Sequence, residues 1–246
     1  MWGRCRRWST ACLRCARFRE ITGQIGVERR NDKTSQPSNS TSQMKGVKRM
    51  REVTISELEQ LASDARESIW AQAKANGREP KIYLHWSAGH YFQKFDDYHV
   101  NITADGKLYL SADLDEVLAH TWRRNSGAVG ISLCCCAFAT SANLGDEPPT
   151  PQQIEAMAQA TAAIANGLWL TIDREHVLTH GEAADNIDGI YPHEEYGPLT
   201  TVERWDLQYL ATDESPYYIK DYDDERTGGN VLRGKANWYR NEWEKK

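Results

Sequence analysis

Two of the seven histidines in this chain close short apolar runs: His85 in "IYLHWSAG" and His180 in "VLTHGEAAD". Neutral imidazole is a common zinc ligand, and a catalytic zinc site takes three N, O or S ligands while keeping one position open for water. Two histidines at strand ends supply two such ligands, and an acidic residue further along the chain would complete the set. Water in such a site is nucleophilic near neutral pH, which is the requirement for metal-assisted hydrolysis. A histidine at a strand end is also an ordinary structural residue, so the pair acquires this meaning only if the fold brings the two ends together. Other metal patterns are weaker. Cys12-x-x-Cys15 is half of a zinc ribbon without its other half. No H-E-x-x-H helix occurs. Cys134, Cys135 and Cys136 are consecutive, so on a strand they point to opposite faces and read as packing.

The elements that must position these histidines are legible from periodicity and breakers. "TISELEQLASDARESIWAQAKANG" has Thr54 or Ser56 as N-cap, helical apolar spacing and a stop at Gly77. "KIYLHW" follows a proline breaker and reads as a strand. "DDYHVNITADGKLYLSADL" alternates around Asp105-Gly106, which predicts a hairpin with Tyr98, Val100 and Ile102 on one face. His99 then faces away from Tyr98 and serves packing or a hydrogen bond. "GAVGISLCCCAFAT" is nearly continuous in apolar residues, as a strand buried on both faces must be, and belongs at the centre of a sheet. "TPQQIEAMAQATAAIANGLWL" predicts a helix with Thr150 as N-cap, Pro151 in the first turn and an end near Gly167. A short strand ending in His180 follows, then a loop with a short helix or turn at 201–210. The fold class is therefore α/β, a central mixed β-sheet flanked by helices, whose strand ends meet at an edge where ligands commonly bind.

The net charge of -5 hides an asymmetry along the chain. Residues 1–52 carry 13 Lys+Arg against 4 Asp+Glu, and residues 53–246 carry 17 against 31. The first stretch is Arg-rich and is followed by a polar, low-complexity linker, so it reads as a disordered basic extension without a signal-peptide apolar core. Met44 and Met50 sit where the composition changes, and translation is expected to begin at one of them. Residues 53–212 form the single expected domain, and 213–246 a C-terminal extension of a strand-like segment and a terminal helix packed on it. No run of eighteen apolar residues exists to cross a bilayer, and no nucleic-acid partner is expected.

Five segments in order, "IYLHWSAG", "DYHVNITADGKLY", "HTWRRNSGAVGISL", "VLTHGEAAD" and "ERWDL", resemble the zinc-dependent N-acetylmuramoyl-L-alanine amidases of the type 2, peptidoglycan-recognition-protein superfamily, including phage lytic amidases. The resemblance covers about residues 80–212. It implies His85, His180 and Asp206 as ligands of a Zn2+ ion and peptidoglycan or muropeptide as substrate. Relatives carry either a tyrosine before the hairpin strand or a glutamate after "GI" beside the metal. Tyr98 matches the tyrosine, and Ser132 stands where the glutamate would be. Arg204 takes the place of a lysine that stabilises the oxyanion, and Arg is a planar fork rather than a compact ammonium.

His120 matches a histidine on the groove wall, with Trp122 and Asn125 as substrate contacts, and His193 falls where it would line the groove. A monomer acting as a phage or prophage lysin, cytoplasmic until release, is the expected setting. Two other classes remain open on the sequence: a recognition protein that holds muropeptide without cleaving it, and a zinc peptidase acting on a different amide.

Overall fold

The structure, a computed structural model, describes residues 50–190 and 205–245. The basic extension up to residue 49, Arg204 and His193 therefore lie outside the described residues. Six strands form one sheet: β1 (Arg51–Val53), β2 (Lys81–Trp86), β3 (Val100–Ile102), β4 (Leu108–Leu110), β5 (Ala128–Leu133) and β6 (Val177–Thr179). Among the described residues four helices accompany them: α1 (Ile55–Ala75), α2 (Pro151–Leu168), α3 (His180–Ala184) and α4 (Gly228–Glu244). The strand order is β1-β4-β3-β5-β2-β6. β3, β5, β2 and β6 run parallel, whereas β4 pairs antiparallel with both β3 and β1. This is the mixed sheet with flanking helices expected from the sequence, with the apolar β5 at its centre. None of the described helices is long and apolar enough to cross a membrane.

The helix starts follow from local chemistry. Thr54 and Glu57 form a reciprocal capping box at α1, and Thr150 and Gln153 form another at α2, with proline at its first position. Gln153 also donates from Nε2 to the carbonyls of Ile102 and Cys134 at 2.9 Å each, which pins the start of α2 to the ends of β3 and β5. At its other end α2 lies close to α1: a Cβ on Gly167 would stand 2.6 Å from the Ala62 methyl. Trp70 and Arg66 of α1 lock this crossing by donating to the carbonyls of Leu168 and Gly167 at 2.8 and 3.0 Å. α4 joins α2 through Glu155, which accepts from Tyr239 at 2.7 Å and pairs with Lys235 at 3.0 Å.

Three expectations need correction. Arg51 and Glu52, assigned to the extension by charge, form the edge strand β1 against β4. The cysteine triplet is buried as expected but is not strand: β5 stops at Leu133, and Cys136 turns the chain with a φ of 67°. The chain there leaves the sheet to make the bridge of Cys136 with Gly89. Between residue 213 and α4 the chain runs through turns and bends, without a strand.

The alternation of side chains along a strand divides the sheet into two chemically distinct faces. Ile82, Leu84 and Trp86 of β2, Val129, Ile131 and Leu133 of β5, and Val100 and Ile102 of β3 join the large core that also contains buried residues of α1 and α2. The intervening residues, Tyr83, His85, Gly130 and Ser132, together with His99 just before β3, belong to the other face. A smaller apolar cluster of Tyr83, Ala128, Leu178 and Ala183 covers part of it. His99 ties this face together. Its Nδ1 accepts from the Gly130 N–H at 3.0 Å, so Nε2 carries the proton and donates to the Glu116 carbonyl at 2.8 Å.

Burial holds the His99 pKa down at about 4, against an ordinary 6.5. The folded chain refuses a proton that unfolded His99 accepts in that interval, so this stability is complete above pH 6.5 and lost as pH falls to about 4. Denaturant unfolding of the metal-free protein across this window should show the wild type losing about 3 kcal/mol more than His99→Gln. Parallel losses in the two proteins would contradict the assignment.

Candidate metal centre

His85, at the second-last position of β2, projects onto the sheet face opposite the large core and is fully buried. His180 follows β6 directly. The strand ends at Thr179, and His180 is the first residue of the five-residue α3 rather than the last of the strand. β6 lies beside β2, with Leu84 opposite Thr179, so the two histidines emerge at the same edge of the sheet. Asp206 arrives from the turn after residue 204. Its Oδ1 accepts from the Trp86 N–H at 2.8 Å, and Gly181 donates to its carbonyl at 3.2 Å. Those two bonds fasten the third element to the two that carry the histidines.

The result is a compact trio. Asp206 Oδ2 stands 3.5 Å from His85 Nδ1 and 3.3 Å from His180 Nδ1, and one ligand atom from each residue lies within 4.8 Å of the others. Zinc bonds of about 2.0–2.1 Å in tetrahedral arrangement separate ligand atoms by about 3.3 Å, so these two separations fit the ion. The electrostatics fit as well. Burial, then the neighbouring His180, hold His85 well below its ordinary pKa, which leaves the imidazole neutral and able to ligate. His85 Nδ1 is buried without a hydrogen-bond partner, an orphaned lone pair facing the carboxylate. Burial pushes the Asp206 carboxyl up, the cost of a desolvated charge that a cation at this point would offset.

A second layer orients the ligands. With Nδ1 free for a metal, His85 Nε2 carries the proton and donates to Thr121 Oγ1 at 3.3 Å. Thr121 can then donate to His120 Nδ1 at 2.9 Å. Such partners fix the tautomer and ring plane of a ligating histidine. His120 packs edge-on to His85, with ring centroids 5.4 Å apart, and lies over Gly130. A Cβ at Gly130 would come within 2.7 Å of the His120 ring, so only glycine leaves space for it. The loop carrying His120 is fixed by Arg124, fully buried and bidentate to Asp188 at 2.7 Å for each bond.

Of the residues singled out in the sequence, the structure brings His85, His180 and Asp206 into one centre and places Tyr98 and His120 beside it. Tyr98 is half-buried, its ring 5.0 Å from that of His85, so it stands with His85 and not with Val100 and Ile102 as strict alternation predicts, because β3 begins only at Val100. Trp122 is half-buried under the Arg123 guanidinium, 4.7 Å from its ring. Asn125 accepts from the Thr121 N–H at 2.8 Å and so holds the turn that presents Thr121. Thr121 and Glu182 were not singled out. "THGE" is a Thr-x-x-Glu capping box legible in the sequence, whereas nothing in the sequence marks Thr121 as the partner of His85. His176 is engaged elsewhere, between Asp173 and Glu79 at 2.9 Å each.

The model of the N-acetylmuramoyl-L-alanine amidase family matches residues 48–195, more than half of the chain. The matched span contains His85 and His180 and stops short of Asp206. Among solved structures, the endolysine N-acetylmuramoyl-L-alanine amidase LysCS from Clostridium intestinale URNW is similar at 21% identity and a TM-score of 0.34, covering 42% of this chain and 70% of that one. No curated protein sequence matches. By its match to the family model, the chain belongs to the N-acetylmuramoyl-L-alanine amidases.

Proposed function

We propose that this amidase is a zinc enzyme that hydrolyses the amide between the lactyl group of N-acetylmuramic acid and L-alanine in peptidoglycan, with water as the nucleophile. The observation that carries the zinc dependence is the trio itself: two imidazoles and one carboxylate converging on a point, with a lone pair of buried His85 left unpartnered among the described residues. His85, His180 and Asp206 would hold the ion. When bound, zinc supplies a Lewis acid and lowers the pKa of its water to about 7.

The remaining roles belong to the chain. Asp206 offsets part of the ion's charge while the Trp86 N–H keeps the carboxylate oriented. Tyr98, beside His85, orients water or substrate through its hydroxyl and assists proton transfer. Arg204, two residues before Asp206 in the sequence, supplies a cation for the developing oxyanion, a contribution of about 3 to 4 kcal/mol for a fixed donor. His120, Trp122 and Asn125, on the segment that covers the site, contact the muramyl peptide.

Metal analysis together with release of free stem peptide from purified peptidoglycan tests this reading. The wild type should hold about one zinc per chain, and His180→Ala and Asp206→Asn should lose the metal and retain less than about one hundredth of the activity. A folded, metal-free wild type that binds muropeptide but releases nothing would overturn it in favour of a recognition protein. Tyr98→Phe should keep its zinc while the rate falls by about 100-fold or more. An unchanged rate would remove Tyr98 from the chemistry.

A further inference from the structure

We propose that Arg233, in the C-terminal helix and outside the span matched by the family model, is a positioning residue for His180. The inference rests on the zinc reading above. α3 has only five residues, too few to hold a conformation by its own hydrogen bonds, yet its first residue must place an imidazole against Asp206. What holds it is Glu182. The Glu182 N–H donates to Thr179 Oγ1 at 3.1 Å, and Glu182 Oε2 accepts from the Thr179 N–H at 2.8 Å, so His180 is clamped between the two halves of a capping box.

Glu182 is itself almost wholly buried, at 1% exposure, and a carboxylate there needs a cation. Arg233 provides it from α4, with Nη1 on Oε2 at 2.8 Å and Nη2 on Oε1 at 2.7 Å. The same Nη1 donates to the Val177 carbonyl of β6 at 2.9 Å. One guanidinium therefore fixes both the strand leading into His180 and the acid of its capping box. Without it, the Glu182 carboxylate would turn away and free the Thr179 N–H, and the first turn of α3 would lose its register against Asp206.

The start of α4 also reaches the third ligand's segment. Gly228 donates to the Gln208 carbonyl at 2.9 Å, and a Cβ on Gly228 would stand 2.1 Å from the Leu207 carbonyl oxygen. The neighbouring Gly229 is less tightly held: a Cβ there would meet only side-chain ends, Glu182 Oε1 at 2.8 Å and Arg233 Nη2 at 3.1 Å. The C-terminal helix thus packs directly on the supports of two metal ligands, which an appended element of purely structural value would not need to do.

The test is zinc affinity of the full chain, measured by competition with a chromophoric chelator, and the visible absorption of the Co2+ form. Arg233→Met, folded by far-UV circular dichroism, should bind zinc about 10- to 100-fold more weakly and show an altered Co2+ band. Arg233→Lys should recover part of the affinity, since it restores the charge but not the bidentate fork. Gly229→Ala keeps both charges and favours the helix while crowding the pair, so it should fold and still lose affinity. It decides the matter if Arg233→Met does not fold. Folded variants with wild-type affinity and an unchanged Co2+ band would overturn the proposal while leaving the zinc reading intact. A wild type that takes up no zinc would instead overturn the zinc reading, and Arg233's role with it.

Discussion

The buried carboxylate of Asp206 sets the demand that the elements around it meet. A charged oxygen buried at this depth is costly unless something positive faces it. Among the described residues its ion pairs are with His85 and His180, and burial keeps His85 neutral. The carboxylate thus faces one backbone N–H and the two histidine rings, a set of donors suited to a dication. Two strands, a turn and a short helix converge to make it, and each is secured by bonds that have no other evident purpose.

The pleat of the sheet does most of the sorting. Because side chains alternate, the residues that pack β2, β3 and β5 onto α1 and α2 force their neighbours onto the opposite face, where His85, His99, Gly130 and Ser132 come together. A slip of one residue in β2 would move His85 into the helix-packed core and Leu84 into the site. The large apolar core therefore specifies the polar centre by fixing register. Gly130 then supplies the space in which His120 lies against His85, so a single absent side chain sets the approach of the second layer to the first.

Much of this was legible in the sequence because the signals are local. Capping residues marked α1 and α2, Asp105-Gly106 marked the hairpin, and the apolar run marked β5. His85 and His180 stood out through position alone, and Asp206 only through the order of motifs. What stayed hidden depends on contacts distant in sequence. The Arg233–Glu182 pair spans 51 residues and the Thr121–His85 contact 36, and neither residue type is unusual where it stands. The end of β5 was misplaced because Cys134, Cys135 and Cys136 are apolar enough to continue a strand. Pairing, not hydrophobicity, ends it where the chain turns at Cys136. Charge counting likewise could not see that Arg51 and Glu52 have a partner strand in β4.

That same buried cysteine cluster supplies the sharpest alternative for the metal, since thiolates are strong zinc ligands. X-ray absorption at the zinc edge of the zinc-loaded chain separates the two directly. Two imidazoles and oxygen ligands at about 2.0–2.1 Å, with no sulfur, are the result expected of a centre built on His85, His180 and Asp206. A sulfur shell at about 2.3 Å would place the ion on the cysteines and contradict it.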